Sequence, residues 1–218
     1  MKPLKAIRTT ISAFCTVLLS VANLTAQPSA QLPTNWLKYE AGTAYSISVP
    51  PTVELRDARD AYSQTLKRLN LNYNRGGIVF QQKGLARQEQ AAYNKYCRIM
   101  IQYVLGNNGE YMKSTETETL DGEWKAVLNE LVNNNIGPAA RLIGNYTYQW
   151  ITVNGAKCIQ IDYRRTGNNF DATIPVVCRM GIFQNSNEMV VMTLSYREKE
   201  AGIWKADFDK VFKSFRWI

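Results

Sequence analysis

The pair Asn154-Gly155 stands between two runs that alternate in side-chain character, Tyr146 to Val153 and Lys157 to Arg164. Asn-Gly meets the positive φ that a tight hairpin turn requires at both central positions, so the two runs must pair antiparallel. More extended segments follow at short spacing: Ala172 to Ile182, reached through a looser turn at Thr166 to Asn169, and then Met189 to Tyr196. Upstream, Trp36 to Tyr39 and Ala44 to Val49 read as strands, the second stopped by Pro50-Pro51, after which Val53 to Arg56 resumes the sheet. Ile78 to Gln82 is bounded by Gly76-Gly77 and Gly84. Tyr96 to Leu105 sets Cys97, Ile99, Ile101, Tyr103 and Leu105 on one face before the turn at Gly106 to Gly109. Short connections of this kind make the sheet mostly antiparallel.

Three segments change to the helical period. Asp57 to Leu69 places Ala58, Ala61, Tyr62, Leu66 and Leu69 three and four apart. Leu120, Trp124, Val127, Leu128, Leu131 and Val132 form a second apolar stripe, due to end near Asn133-Asn134-Asn135 and Gly137-Pro138. The third, Ile203 to Phe215, lines up Trp204, Phe208, Val211, Phe212 and Phe215. Each stripe needs a sheet face to cover, so the expected fold class is α+β, a mostly antiparallel sheet sandwiched by helices in an α/β/α arrangement.

The ends of the chain bear on where it works. Lys2, Lys5 and Arg8 precede an apolar run from Ile11 to Ala22, and no acidic residue occurs before Glu40. This is the pattern of a secretory signal peptide, too short to span a membrane well. Cleavage after Ala22 has the small Ser20 at the third position upstream, whereas cleavage after Ala26 leaves a polar Gln27-Pro28-Ser29 start; the reading adopted is signal 1–26, linker 27–35 and a single domain 36–218. A periplasmic or secreted location follows. Beyond the leader, 23 basic and 18 acidic residues leave +5, interspersed in sign, which is no footprint for nucleic acid. Cys15 leaves with the leader, and the odd count that remains, Cys97, Cys158 and Cys178, leaves at least one unpaired within the chain and is no disulfide framework.

The stretches AYSISVPPTVEL, GGIVFQQKGL, YCRIMIQYVL and the ending DFDKVFKSFRWI, taken with the order of elements, resemble the PsbP-like superfamily over most of residues 36–218. The resemblance implies its sandwich fold and an accessory, assembly or binding role without catalysis. The superfamily's metal-associated and Ran-binding functions do not carry over, because none of their site residues matches one by one.

The chemistry the residues offer is sparse. The chain contains no His, which removes Ser-His-Asp and Cys-His nucleophile systems and imidazole zinc sites. Neither a Walker loop nor G-x-G-x-x-G is found. Carboxylates recur at Asp57/Asp60, Glu116/Glu118, Asp121/Glu123 and Asp207/Asp209, in the sequence context of solvated loops and helix starts rather than of two acids facing a sugar, so a carboxylate-dependent hydrolase is the weakest reading. Cys158 and Cys178 flank one hairpin, but Ile159, Ile161 and Tyr163 define one face while Ile174, Val176, Cys178 and Met180 define the face it meets. Cys158 then lies on the other side of the sheet, and free buried thiols are expected.

Tyr146, Tyr148 and Trp150 alternate in NYTYQW and therefore share one face. With Arg164 or Arg165 from the neighbouring strand they offer a stacking platform for a glycan or other small molecule. The competing reading makes them the sheet surface on which Trp204, Phe208 and Phe212 pack, and burial of two aromatic surfaces against each other favours it. No cofactor or metal is called for. The expected partner is an envelope protein or a glycan.

Overall fold

The computed structural model describes residues 32–56, 77–167 and 173–218. The leader, most of the linker, the expected helix Asp57 to Leu69 and part of the turn after Arg165 lie outside the described residues. Strands β1 (Leu37–Ala41), β2 (Tyr45–Val49), β3 (Val53–Leu55), β4 (Ile78–Gln82) and β5 (Cys97–Leu105) come first, with a four-residue helix α1 (Gln90–Tyr93) before β5. Helix α2 (Gly122–Ile136) leads into β6 (Leu142–Val153), β7 (Ala156–Arg165), β8 (Val176–Asn185) and β9 (Glu188–Arg197), and α3 (Ala201–Lys213) and β10 (Arg216–Trp217) close the chain.

Seven strands form one antiparallel sheet in the order β3-β4-β5-β9-β8-β7-β6. The β6–β7 hairpin turns through Asn154 and Gly155 at φ 47° and 83°, the pair of positive values that the dipeptide was expected to supply. Strand β8 starts four residues later than the alternation proposed: Pro175 just before it brings no N–H to a ladder, and pairing with β9 begins at Val176. It also runs on to Asn185, where Phe183, Gln184 and Asn185 pair with Val190, Met189 and Glu188.

Alternation sends the strand side chains into two separate cores. Ile159, Ile161, Tyr163, Cys178, Met180 and Val191 meet Trp124, Leu128 and Val132 of α2 on one face. Cys97, Ile99, Cys158, Phe183, Val190 and Met192 meet Trp204, Phe208, Val211 and Phe212 of α3 on the other. The expected sandwich, with helices on both faces of a mostly antiparallel sheet, is what forms. Gly181 is needed where α3 crosses β8, since a Cβ there would stand 2.7 Å from the Phe212 ring.

The helix ends follow their local chemistry. Asp121 caps α2, accepting from the backbone N–H of Glu123 and Trp124, and Gly137 ends it at φ 75°. Glu200, buried just before α3, accepts from the Tyr96 backbone N–H at 2.8 Å and from Trp204 Nε1 at 3.1 Å, which ties the start of β5 to the start of the helix. A second, three-stranded sheet was not expected. β2 lies between β1 and β10, and its Tyr45, Ile47 and Val49 join the core on the α3 side together with Phe215.

Candidate functional site

The aromatic stripe sits on β6, the edge strand of the large sheet. A bulge between Ile143 and Thr147, with Gly144 at φ 69°, resets the register so that Tyr148 faces Ile161 and Trp150 faces Ile159. Those partners belong to the α2 core, so the stripe faces α2 and not α3. The expectation that Trp204, Phe208 and Phe212 cover it is therefore corrected: the two aromatic surfaces lie on opposite sides of the sheet, and α2 covers the stripe in their place. The Tyr146 hydroxyl donates to Asn129 Oδ1 of α2 at 2.7 Å. Trp150 Nε1 donates to the Glu118 carbonyl at 2.8 Å, and its ring stands edge-on to Trp124 at 6.5 Å. All three rings of the stripe are half-buried, and Tyr146 and Tyr148 lie 5.9 Å apart with their planes tilted by 39°.

The two arginines separate. Arg165 shares the stripe's face, where it is buried; its Nη1 donates to the Thr166 carbonyl at 2.8 Å and its Nη2 to the Tyr96 hydroxyl at 3.1 Å. Arg164 points to the opposite face and pairs with Glu198 at 2.6 Å. Tyr146, Tyr148, Trp150, Arg164 and Arg165 thus do not converge on one site, because adjacent residues on a strand leave opposite faces.

Arg165 instead lines a cleft between the C-terminal end of α2 and strands β4, β5 and β9, with Tyr96, Arg98, Met100, Asn135 and Thr193. Asn135 bridges it, donating to Thr193 Oγ1 at 3.0 Å while its Oδ1 accepts from the Tyr163 hydroxyl at 2.7 Å. Burial, with Cys178 next, pushes the Tyr163 phenol well up, so it stays a donor. The guanidinium of Arg98 lies over the Tyr96 ring, 5.7 Å from its centroid. In the sequence, Asn133-Asn134-Asn135 marks only a helix stop. The signal available was that Asn135 lies three residues after Val132, on the buried side of the same helix.

Two carboxylates do meet. Asp162 and Asp209 both hold Arg179, at 2.7 and 2.6 Å, and Lys205 holds the second Asp209 oxygen at 3.1 Å. Burial works to lower the Arg179 pKa, but hydrogen bonding and charge from the two acids outweigh it and the net shift is upward. Acids bridged by cations in this way form a structural ion-pair cluster rather than a proton donor facing a base. Among the acids flagged from sequence, Asp121 caps α2, Glu116 pairs with Lys113 at 3.5 Å and Glu118 accepts from Trp124 Nε1 at 3.1 Å. Asp57 and Asp60 lie outside the described residues.

Cys158 and Cys178 occupy opposite cores, as the alternation required, and with Cys97 they are buried free thiols. Burial is the chief cause that pushes each of them above the ordinary thiol range. Among the described residues no group of three or more His, Cys, Asp or Glu is placed to hold a metal ion, and no helix is long and apolar enough to cross a membrane.

No family model and no curated protein matches the chain. Solved structures do. The solution structure of PsbP (CyanoP) from the cyanobacterium Synechocystis sp. PCC 6803 is 15% identical with a TM-score of 0.48, over 90% of this chain and 100% of that one. LpqN, described as involved in cell envelope biogenesis of Mycobacterium tuberculosis, is 13% identical with a TM-score of 0.43, over 84% and 90%. A structure from Bacteroides thetaiotaomicron VPI-5482 is 11% identical with a TM-score of 0.40, over 80% of this chain and 45% of that one.

Proposed function

We propose that the chain is an exported, non-enzymatic accessory or binding protein of the bacterial envelope. The observation that carries the reading is the use to which the reactive side chains are put. Asp162 and Asp209 hold Arg179, Asp121 caps α2, and Glu200 joins β5 to α3. Glu54 accepts from the backbone N–H of Gly84 and Ala86, and the three thiols lie in the cores. These acids and thiols are thereby committed to holding the fold. The signal-like start supports export. A second reading, a binder of glycans or other small molecules, is favoured by the half-exposed Tyr146–Tyr148 pair, whose two faces form one shallow tilted surface.

Two measurements test the proposal. Fractionation of cells expressing the full gene should release the protein with the periplasmic or extracellular fraction, beginning at residue 23 or 27 by N-terminal sequencing. The purified protein should then turn over no defined envelope substrate. Reproducible turnover, or retention of an uncleaved chain in the cytoplasm, sinks the reading.

A further inference from the structure

Where α3 runs into β10 and the small sheet, a concave site collects positive charge. Its construction follows from β2. With Tyr45, Ile47 and Val49 turned to the core, Ser46 and Ser48 leave the other face, where the register sets Ser46 opposite Arg216 and Ser48 opposite Lys38. The last turn of α3 adds Lys210 and Lys213, and all six residues line the same cavity. The turn out of the helix is pinned: the Ser214 hydroxyl accepts from the Ser48 backbone N–H at 2.8 Å and donates to the Val211 carbonyl at 2.7 Å, while the Asn154 amide donates to the carbonyls of Lys213 and Phe215.

Three of the four cations in this cavity lack a counter-charge among the described residues. Lys38 pairs with Glu40 at 2.5 Å, but Lys210, Lys213 and Arg216 make no ion pair among the described residues, and no acid lines the cavity. Lys205 on the same helix shows the contrast, since it holds Asp209. Residues 1–31, which lead into Leu32 at the rim, contain no Asp or Glu. Ser46 supplies an independent observation. It is only 4% exposed, it lines the cavity, and its hydroxyl makes no hydrogen bond among the described residues. Cations in a last helical turn complement the negative end of the helix dipole, which accounts for Lys210 and Lys213. It does not account for Arg216 on β10, or for a Ser46 hydroxyl at the cavity wall that has no hydrogen bond among the described residues.

We infer that this cavity is an anion site that takes a phosphoryl group. Several cations converging from a helix and two strands match the nearly double charge of a phosphate monoester better than the single charge of a carboxylate. The Arg216 guanidinium has the fork geometry that grips two phosphate oxygens, and Ser46 offers an O–H to a third. The cavity, about 290 Å³, holds the volume of roughly ten waters, so a phosphoryl group enters with part of what it is esterified to. The ester is either the monoester headgroup of a lipid such as phosphatidic acid or a soluble phosphate monoester. The site is separate from the aromatic stripe and stands or falls apart from the accessory reading.

The test is an amide ¹⁵N–¹H NMR titration of the purified protein with inorganic phosphate at constant ionic strength, sodium chloride being exchanged out. Saturable shifts are expected at Ser46, Ser48, Ser214 and Arg216. The combined variant Lys210→Gln, Lys213→Gln, Arg216→Gln should weaken binding at least tenfold. Arg216→Gln alone and Ser46→Ala alone, which disturb the fold least, should each weaken it severalfold. Lys205→Gln, away from the cavity, should leave it unchanged. Sedimentation with phosphatidic acid vesicles, whose headgroup is a phosphate monoester, against phosphatidylcholine vesicles separates the sources: retention on the former supports a lipid headgroup, and phosphate binding without retention supports a soluble ester. The inference is overturned by shifts that do not saturate, by Lys205→Gln weakening binding as much as Arg216→Gln, or by both single variants binding like the parent.

Discussion

Trp150 carries one polar atom on a large apolar body, and the fold uses both parts. Its Nε1 meets the Glu118 carbonyl, and its ring meets Trp124. The contributions separate by substitution. Trp150→Phe keeps an aromatic body and leaves the Glu118 carbonyl to water, so a loss of about 1 kcal/mol is expected in chemical denaturation, the net worth of one hydrogen bond. Trp150→Ala also removes the ring. From a half-buried position it should cost about 2 to 3 kcal/mol, below the 3 to 5 of a full core truncation. A loss under about 0.5 kcal/mol for Trp150→Ala, the range of free surface positions, would return the ring to the role of ligand platform. The neighbours Arg164 and Arg165 teach the same lesson in charge. One is bound to Glu198 on one face and the other is buried by Tyr96 on the other, and a single step along the strand decides which.

Helix α2 covers the stripe, so its stability governs how much of the stripe is seen by solvent. Its first turn depends on Asp121, whose carboxylate satisfies two backbone N–H groups and lies at the positive end of the helix dipole. Asp121→Ala is expected to lower stability by about 1 kcal/mol and to raise hydrogen exchange at Glu123 and Trp124 more than at the helix centre; exchange unchanged at those two amides would remove the cap from the account. The helix itself was legible in the spacing of Trp124, Leu128 and Val132, and so was its stop at Gly137. What the spacing did not contain was which sheet face it would cover. An amphipathic stripe says that one side is buried but not against what, and here strands β7, β8 and β9 bring apolar residues to both faces. That is why the stripe was assigned to the wrong helix. The small sheet was hidden for another reason: β10 has two residues, and its partner β2 lies more than a hundred and sixty positions earlier, beyond the reach of any local pattern. The cation cavity shares that origin, since its lysines, arginine and serines meet only once that long-range pairing has formed.

At the scale of the molecule, one sheet serves two cores. β7, β8 and β9 contribute residues to both, so loss of register in these strands opens both cores together. The thiols report on this, because Cys97 and Cys158 lie in the α3-side core and Cys178 in the α2-side core. Burial raises all three above the ordinary thiol range, and the reactive species is the thiolate. Near pH 8 each is therefore expected to resist iodoacetamide in the native protein, both from lack of access and from lack of ionisation. With rising denaturant, alkylation followed site by site in mass spectrometry should switch on for Cys97, Cys158 and Cys178 at one midpoint, coincident with loss of tryptophan fluorescence. Coincidence of probes is the signature of a single cooperative unit. Labelling of Cys178 at clearly lower denaturant than Cys97 and Cys158 would mean that α2 leaves the sheet first. The stripe under it would then be uncovered in a partly open form while the α3 side, with the cation cavity at its rim, remained intact.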